Sequence, residues 1–248
     1  MVVIDLASFD AFVFDLDGVI TRTAAVHARA WKQLFDEYLA ARAARTGEPF
    51  VPFDLDGDYR RYVDGKPRRA GVRSFLVGRG IEEPRETVVG LGKRKDGYFL
   101  GIVAREGVEV FDSAVSLVRQ ARARGVRTAV ASSSRNCAAI LRAARLSSLF
   151  EVRVDGLDLE RFGLAGKPAP DMFLEAARRL GVPPARAAVF EDATAGVEAG
   201  RAASFGLVIG IGAAEHAAAL RAHGAHAVVA DLAEVRLEDR RPGATVAV

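Results

Sequence analysis

The sequence predicts an α/β fold: a Rossmann-like parallel-sheet core into which a helical domain is inserted. Three observations carry that expectation. Short apolar runs alternate with helical stretches through the second half of the chain, the pattern of a parallel sheet covered by helices on both faces. The run Ala11-Phe12-Val13-Phe14 ends abruptly in Asp15-Leu16-Asp17-Gly18. A buried strand cannot carry charge along its length, so these acids fall at its carboxyl end, where open α/β sheets bind ligands. Finally, no convincing core strand lies between Asp17 and Arg127, far more chain than a crossover needs.

Taken in order, core strands are expected at 11–14, 127–131, 187–190, 206–209 and 227–229. Helices are expected near 112–124, 135–146, 170–180, 193–203 and 213–223. The long gap has helical periodicity over 27–45, 68–79 and 86–105, and so reads as a helical insert spanning 22–102 within a core of 1–21 and 103–248. An insert that leaves beside a strand-end site is placed to act as a lid. Residues 156–166 read as a loop preceded by a short strand, and the tail after Asp231 is weakly patterned.

Composition excludes several classes. The chain has 248 residues, half of them hydrophobic, enough for a substantial core. Its one cysteine, Cys137, rules out an internal disulfide and fits a reducing compartment. No stretch approaches the roughly 20 apolar residues of a membrane span, and no leader pattern opens the chain. The expectation is a cytoplasmic monomer. Arginines such as Arg119, Arg122 and Arg124 are spread among alanines without interleaved aromatics, which reads as a solvated helical face rather than a nucleic-acid surface.

Asp15 and Asp17 repel each other, so their site calls for a cation or a shared proton; an oxygen-rich Mg2+ site meets that need. The same letters recur in Phe53-Asp54-Leu55-Asp56-Gly57, but prolines at 49 and 52 argue against a central strand there. That copy reads as a surface loop leading into a helix. Three further strand ends or helix starts are polar. Ser132-Ser133-Ser134-Arg135-Asn136 offers hydroxyls and a cation before a helix, a phosphate cradle or merely an N-cap. Gly166-Lys167-Pro168-Ala169-Pro170-Asp171 holds a lysine in a proline-stiffened loop. Phe190-Glu191-Asp192 sets two more acids at a strand end; an acidic N-cap would explain Asp192 but not Glu191. Together these groups point to a carboxylate–Mg2+ centre ringed by phosphate-binding residues, the chemistry of phosphoryl transfer.

This ordered set resembles the haloacid dehalogenase superfamily: Asp15 and Asp17 match its first motif, Ser132 its second, Lys167 its third, and Glu191 with Asp192 its fourth. The second acid, Asp17, argues against the dehalogenase branch. A narrower resemblance, to the beta-phosphoglucomutase-like subfamily, lies in the run Asp17 to Lys32, in Ser132 to Asn136, and in Lys167 to Asp171. In the insert, Gly65-Lys66-Pro67-Arg68 and Arg94-Lys95 stand where that family carries its cap cations. Departures are Arg22 in place of a common acid, Arg135 for a frequent lysine, and a longer segment over 40–64.

The resemblance implies specific roles. Asp15 is the nucleophile, forming a phosphoaspartate, and Asp17 the general acid and base. Asp15, Asp17 (through its carbonyl), Glu191 and Asp192 are the metal group. Ser132 and Lys167 bind the transferring phosphoryl group; Ser134, Arg135, Asn136 and Arg68 grip the other phosphate. Thr23, His27 and Lys95 complete the substrate-binding set. The implied reaction interconverts beta-glucose 1-phosphate and glucose 6-phosphate, with Mg2+ as cofactor and glucose 1,6-bisphosphate as priming intermediate. A sugar-phosphate phosphatase with the same nucleophile is the alternative. A non-catalytic sugar-phosphate sensor is a third reading, but it has no need of both Asp15 and Asp17.

Overall fold

The computed structural model describes residues 1–64, 66 and 68–239; Gly65, Pro67 and the end of the tail, 240–248, lie outside them. Chain order is β1 (Val2–Asp5), β2 (Ala11–Phe14), α1 (Ala24–Thr46), α2 (Arg68–Gly78), α3 (Arg85–Glu106), α4 (Asp112–Ala123), β3 (Arg127–Ala131), α5 (Cys137–Ala143), β4 (Val152–Val154), α6 (Gly156–Phe162), α7 (Asp171–Leu180), β5 (Ala187–Glu191), α8 (Thr194–Ala202), β6 (Leu207–Ile211), α9 (Ala214–Ala222), β7 (Ala227–Val229) and β8 (Val235–Glu238).

Two compact units result: Met1–Thr21 with Glu109–Val248, and Arg22–Val108. The second junction falls after Val108 rather than 102, because α3 continues to Glu106 and ends at Gly107, whose positive φ of 76° breaks the helix.

In the first unit, β4-β3-β2-β5-β6-β7 form a six-stranded sheet in that order, every pair parallel. The chain winds from β2 outward through β3 and β4, then returns to β5 on the other side of β2. That reversal opens a crevice beyond the carboxyl ends of the central strands. Strand β2 is buried along its whole length. On one face Phe14 stacks on its register partner Phe190 at 4.4 Å, and Phe12 meets the same ring at 5.3 Å. On the other, Ala11 and Val13 join Val189, Met172 and Phe173 in the core. Burial of each such large side chain contributes about 1.5–3 kcal/mol, which anchors the strand whose end carries the first two acids.

The remaining differences from expectation are local. β1 and β8 pair with each other in a separate two-stranded parallel sheet. Residues 156–162 are helical rather than loop, because Asp155 and Asp158 form a reciprocal capping box at the start of α6. Helix α5 starts at Cys137, not 135, since Ser134 Oγ accepts from Asn136 N at 3.1 Å and holds the preceding residues in a turn.

The chain leaves and re-enters this unit side by side: Thr21 forms a bridge with Val110, and Phe111 N donates to Ile20 O at 3.0 Å. The second unit, Arg22–Val108, is built on α1, α2 and α3 around Trp31, Leu34, Phe35, Phe53, Phe75 and Leu91. Phe35 and Phe75 lie 3.9 Å apart between ring centres. The repeated Asp-Leu-Asp-Gly run is a loop there, with Asp54 Oδ1 accepting from Asp56 N at 3.1 Å, followed by a π-helical turn at Tyr59–Val63. Among the described residues no helix is long and apolar enough to cross a membrane.

Candidate active site

Within the core unit, the polar strand ends converge. Asp15 follows β2 directly, its N–H donating to Phe190 O at 2.9 Å across to β5. The chain then turns tightly: Thr21 N and Oγ1 both donate to Leu16 O, at 2.8 and 3.1 Å, and Gly18 N donates to Thr21 O at 2.8 Å. Gly18 has φ +95°, and a Cβ there would lie 2.0 Å from Asp192 Oδ2. The glycine therefore supplies both the left-handed turn and the space in which the Asp192 carboxylate sits.

Lys167 is the hub. Its ammonium is paired with Asp15 and donates to Glu191 Oε2 at 2.9 Å, with all three side chains nearly buried. The ring of Phe173 lies below it, 4.9 Å away. Glu191, the last residue of β5, packs over Gly196, where a Cβ would come within 2.1 Å of its carboxylate. Ser132, at the end of β3, donates from Oγ to Asp17 Oδ2 at 3.1 Å and accepts from Ser134 N at 3.1 Å. Asp192 is not a helix cap: the N-cap of α8 is Ala193. It extends toward Gly18, and His216 Nε2 meets its carbonyl at 2.9 Å.

The electrostatics follow from crowding acids out of water. Burial first, then the negative charge of Glu191, pushes the Asp15 carboxyl up to about 8 despite the Lys167 ammonium beside it. Asp192 is raised for the same reasons, burial and then Glu191 and Asp15, and Glu191 is raised by burial although Lys167 opposes it. Lys167 is held protonated: its two carboxylate partners outweigh the burial that disfavours its charge. One buried ammonium thus pairs with Asp15 and Glu191 in a cluster whose charges also include Asp192 and, beside Asp15, Asp17. This surplus of oxygen-borne negative charge fits a hard divalent cation, to which Asp15, Glu191, Asp192 and the Asp17 carbonyl are the available donors. The side chains are not already gathered as a cage; among the described residues no three His, Cys, Asp or Glu groups converge on one cation position, and Lys167 lies against two of the acids.

The other expected residues fall elsewhere. Arg135 turns away to pair with Glu160 of α6, both half exposed, while Ser134 and Asn136 stay in the turn beside Ser132. In the helical unit, Thr23 is buried at the head of α1, and His27 stacks on Phe99 at 4.2 Å. Lys95, only 4% exposed, sets its ammonium 2.5 Å from His27 Nδ1 and about 5 Å from the rings of Trp31 and Phe99. Arg68 pairs with Asp96, and Arg94 donates to Glu37 at 2.8 Å.

Fold and site together define a doubly wound α/β protein with an acid–lysine centre at its topological switch point. A family model of haloacid dehalogenase-like hydrolases matches residues 9–204. Beta-phosphoglucomutase of Mycobacterium bovis is 52% identical over 237 residues, covering 91% of this chain and 90% of that one. Beta-phosphoglucomutase of Bacillus subtilis is 33% identical over 208 residues, covering 82% and 83%. The crystal structure of beta-phosphoglucomutase from Clostridium difficile superposes with a TM-score of 0.74 at 25% identity, over 91% of this chain and 92% of that one. The protein is an enzyme that belongs to the haloacid dehalogenase-like hydrolase family and, within it, to the beta-phosphoglucomutase-like branch.

Proposed function

We propose that the enzyme interconverts beta-glucose 1-phosphate and glucose 6-phosphate by Mg2+-dependent phosphoryl transfer through Asp15, with glucose 1,6-bisphosphate as the priming intermediate. The observation that carries this reading is the buried Lys167 ammonium between Asp15 and Glu191, with Asp17 bonded to Ser132 alongside. A carboxylate at Asp15 attacks phosphorus, the bond from phosphorus to the sugar oxygen breaks, and Asp17 gives its proton to that oxygen. In the second half Asp17 takes the proton of the other sugar hydroxyl as it attacks the phosphoaspartate, and Asp15 leaves as a carboxylate. Bound Mg2+ supplies charge neutralisation between the acids and the phosphoryl oxygens. Ser132 and Lys167 bind those same oxygens.

A mutase must hold a bisphosphate in two orientations, so it needs cations beyond the transferring group. From the core Arg135 supplies such a cation by exchanging Glu160 for the phosphate, with Ser134 and Asn136 as hydrogen-bonding groups beside it. The unit Arg22–Val108 acts as the cap, with Thr23, His27, Arg68 and Lys95 as its substrate-binding groups. The test is 31P NMR of the protein with Mg2+, beta-glucose 1-phosphate and trace glucose 1,6-bisphosphate. Growth of glucose 6-phosphate without free phosphate supports the mutase; inorganic phosphate alone makes the enzyme a phosphatase.

A further inference from the structure

We propose that His216 is a positioning residue for Asp192: it holds the peptide that carries this acid and so sets the direction of the carboxylate toward a divalent cation. The inference rests on the metal reading given above and adds to it a residue from an element, α9, that carries none of the acids.

Glu191 and Asp192 are adjacent but secured differently. Glu191 is the last residue of β5, in register with Gly210 of β6, and its carboxylate accepts from Lys167 and from Ala193 N, the latter at 3.4 Å. Asp192 lies past the end of that ladder and before Ala193, the N-cap of α8. Neither the strand nor the helix fixes its carbonyl. The bond that does comes from His216, in the first turn of α9, at 2.9 Å.

The neighbourhood leaves room for that ring. A Cβ on Gly212 would approach His216 Cδ2 to 3.2 Å and Leu220 Cδ1 to 3.1 Å, so the glycine just before α9 lets the imidazole lie back toward the sheet. On its other side Asp192 abuts Gly18, where any side chain would collide with its carboxylate. The carbonyl of Asp192 is thus held by His216, while its carboxylate occupies the space that Gly18 leaves open. Loss of that bond leaves the backbone at Asp192, already past the end of the ladder, without its anchor, so its Cα and the carboxylate it carries can shift. Groups that orient metal ligands from behind are commonly worth 10–100-fold in affinity.

The test is calorimetric titration of Mg2+ into the metal-free wild type, His216→Ala, His216→Gln and Asp192→Asn, with the melting temperature of each recorded in chelator. His216→Ala is expected to bind Mg2+ about tenfold more weakly at an unchanged melting temperature, since the ring is exposed. His216→Gln, which keeps an N–H donor at the same reach, is expected to stay near wild type, and Asp192→Asn to lose binding. Wild-type affinity in His216→Ala alongside a loss in Asp192→Asn overturns this inference alone, as does equal weakening in the Ala and Gln variants. A flat titration for the wild type itself overturns the metal reading and this inference with it.

Discussion

Lys167 donates to Glu191 at 2.9 Å while also paired with Asp15, so one ammonium ties the carboxyl ends of the two central strands together. Removing it leaves two buried acids without a counter-charge. Breaking a buried pair from one side costs about 3–5 kcal/mol. We expect Lys167→Met to lower stability by that order in chelator, with partial recovery on adding Mg2+. Denaturant unfolding with and without the ion measures both effects.

The raised acids make metal-free stability depend on pH in an unusual direction. Asp15 holds its proton up to about 8 when folded, against an ordinary carboxylate value of 3.8. The folded state therefore binds the proton more tightly than the unfolded chain. Its stabilising effect is complete below the ordinary value and is lost as pH rises toward 8. We expect the melting temperature in chelator to be lower at pH 8.5 than at pH 6. Saturating Mg2+ should narrow that gap, and its binding should release protons, seen as a buffer-dependent heat in calorimetry.

The two acids of the first motif should separate by leaving group. Asp15→Asn is expected to lose roughly 10⁴-fold or more with every substrate, as removal of a nucleophile does. Asp17→Ala should lose about 10²–10⁴-fold with sugar phosphates but far less with an aryl phosphate, whose leaving group needs no proton. First-turnover rates of leaving-group release with the two substrate types decide this, because later turnovers also need Asp17 as the base that opens the phosphoaspartate. Equal losses for Asp17→Ala would remove its acid–base role.

Gly18→Ala tests the contact between the first and fourth motifs. Its φ of +95° disfavours any side chain, and the new Cβ would meet Asp192 Oδ2 at 2.0 Å. We expect a loss of about 1–3 kcal/mol from the strained backbone and weakened Mg2+ binding from the displaced acid. Calorimetry on the folded variant separates the two.

In the helical unit, Arg68 pairs with Asp96. Arg68→Ala is expected to reduce mutase turnover more than hydrolysis of a simple phosphate monoester. Similar losses in both assays would count against a role for Arg68 in holding the second phosphate.

How much of this was legible follows from what forces a residue's identity. Polar groups at the end of a buried strand have few innocent explanations, so Asp15, Ser132 and Glu191 stood out and the sheet joins them in space. Lys167 was visible because a proline on either side of Ala169 fixed the loop. Strands β1 and β8 were not: β1 buries only Ile4 fully and pairs outside the main sheet, so no apolar run marks it. Helix α6 was hidden behind a capping box built with Asp rather than the usual Glu, though the Asp155-x-x-Asp158 spacing was there to read. His216 left no trace, because its partner is a backbone carbonyl and any residue type presents one. Arg135 shows the opposite limit: the sequence announces a cation, and only the fold reveals that Glu160 already engages it.

The bridge between Thr21 and Val110 has a consequence for ancestry. The two chain ends that border Arg22–Val108 are stitched to each other inside the core, so the core's sheet needs nothing from the intervening segment to bring them together. Closing even a long loop adds little entropy cost when its ends are already joined. A splice at this seam can replace one insert with another while every strand end keeps its acids. Diversification at such a point costs the phosphoryl-transfer centre nothing, and new substrates can be tried by exchanging a module rather than by rebuilding an active site.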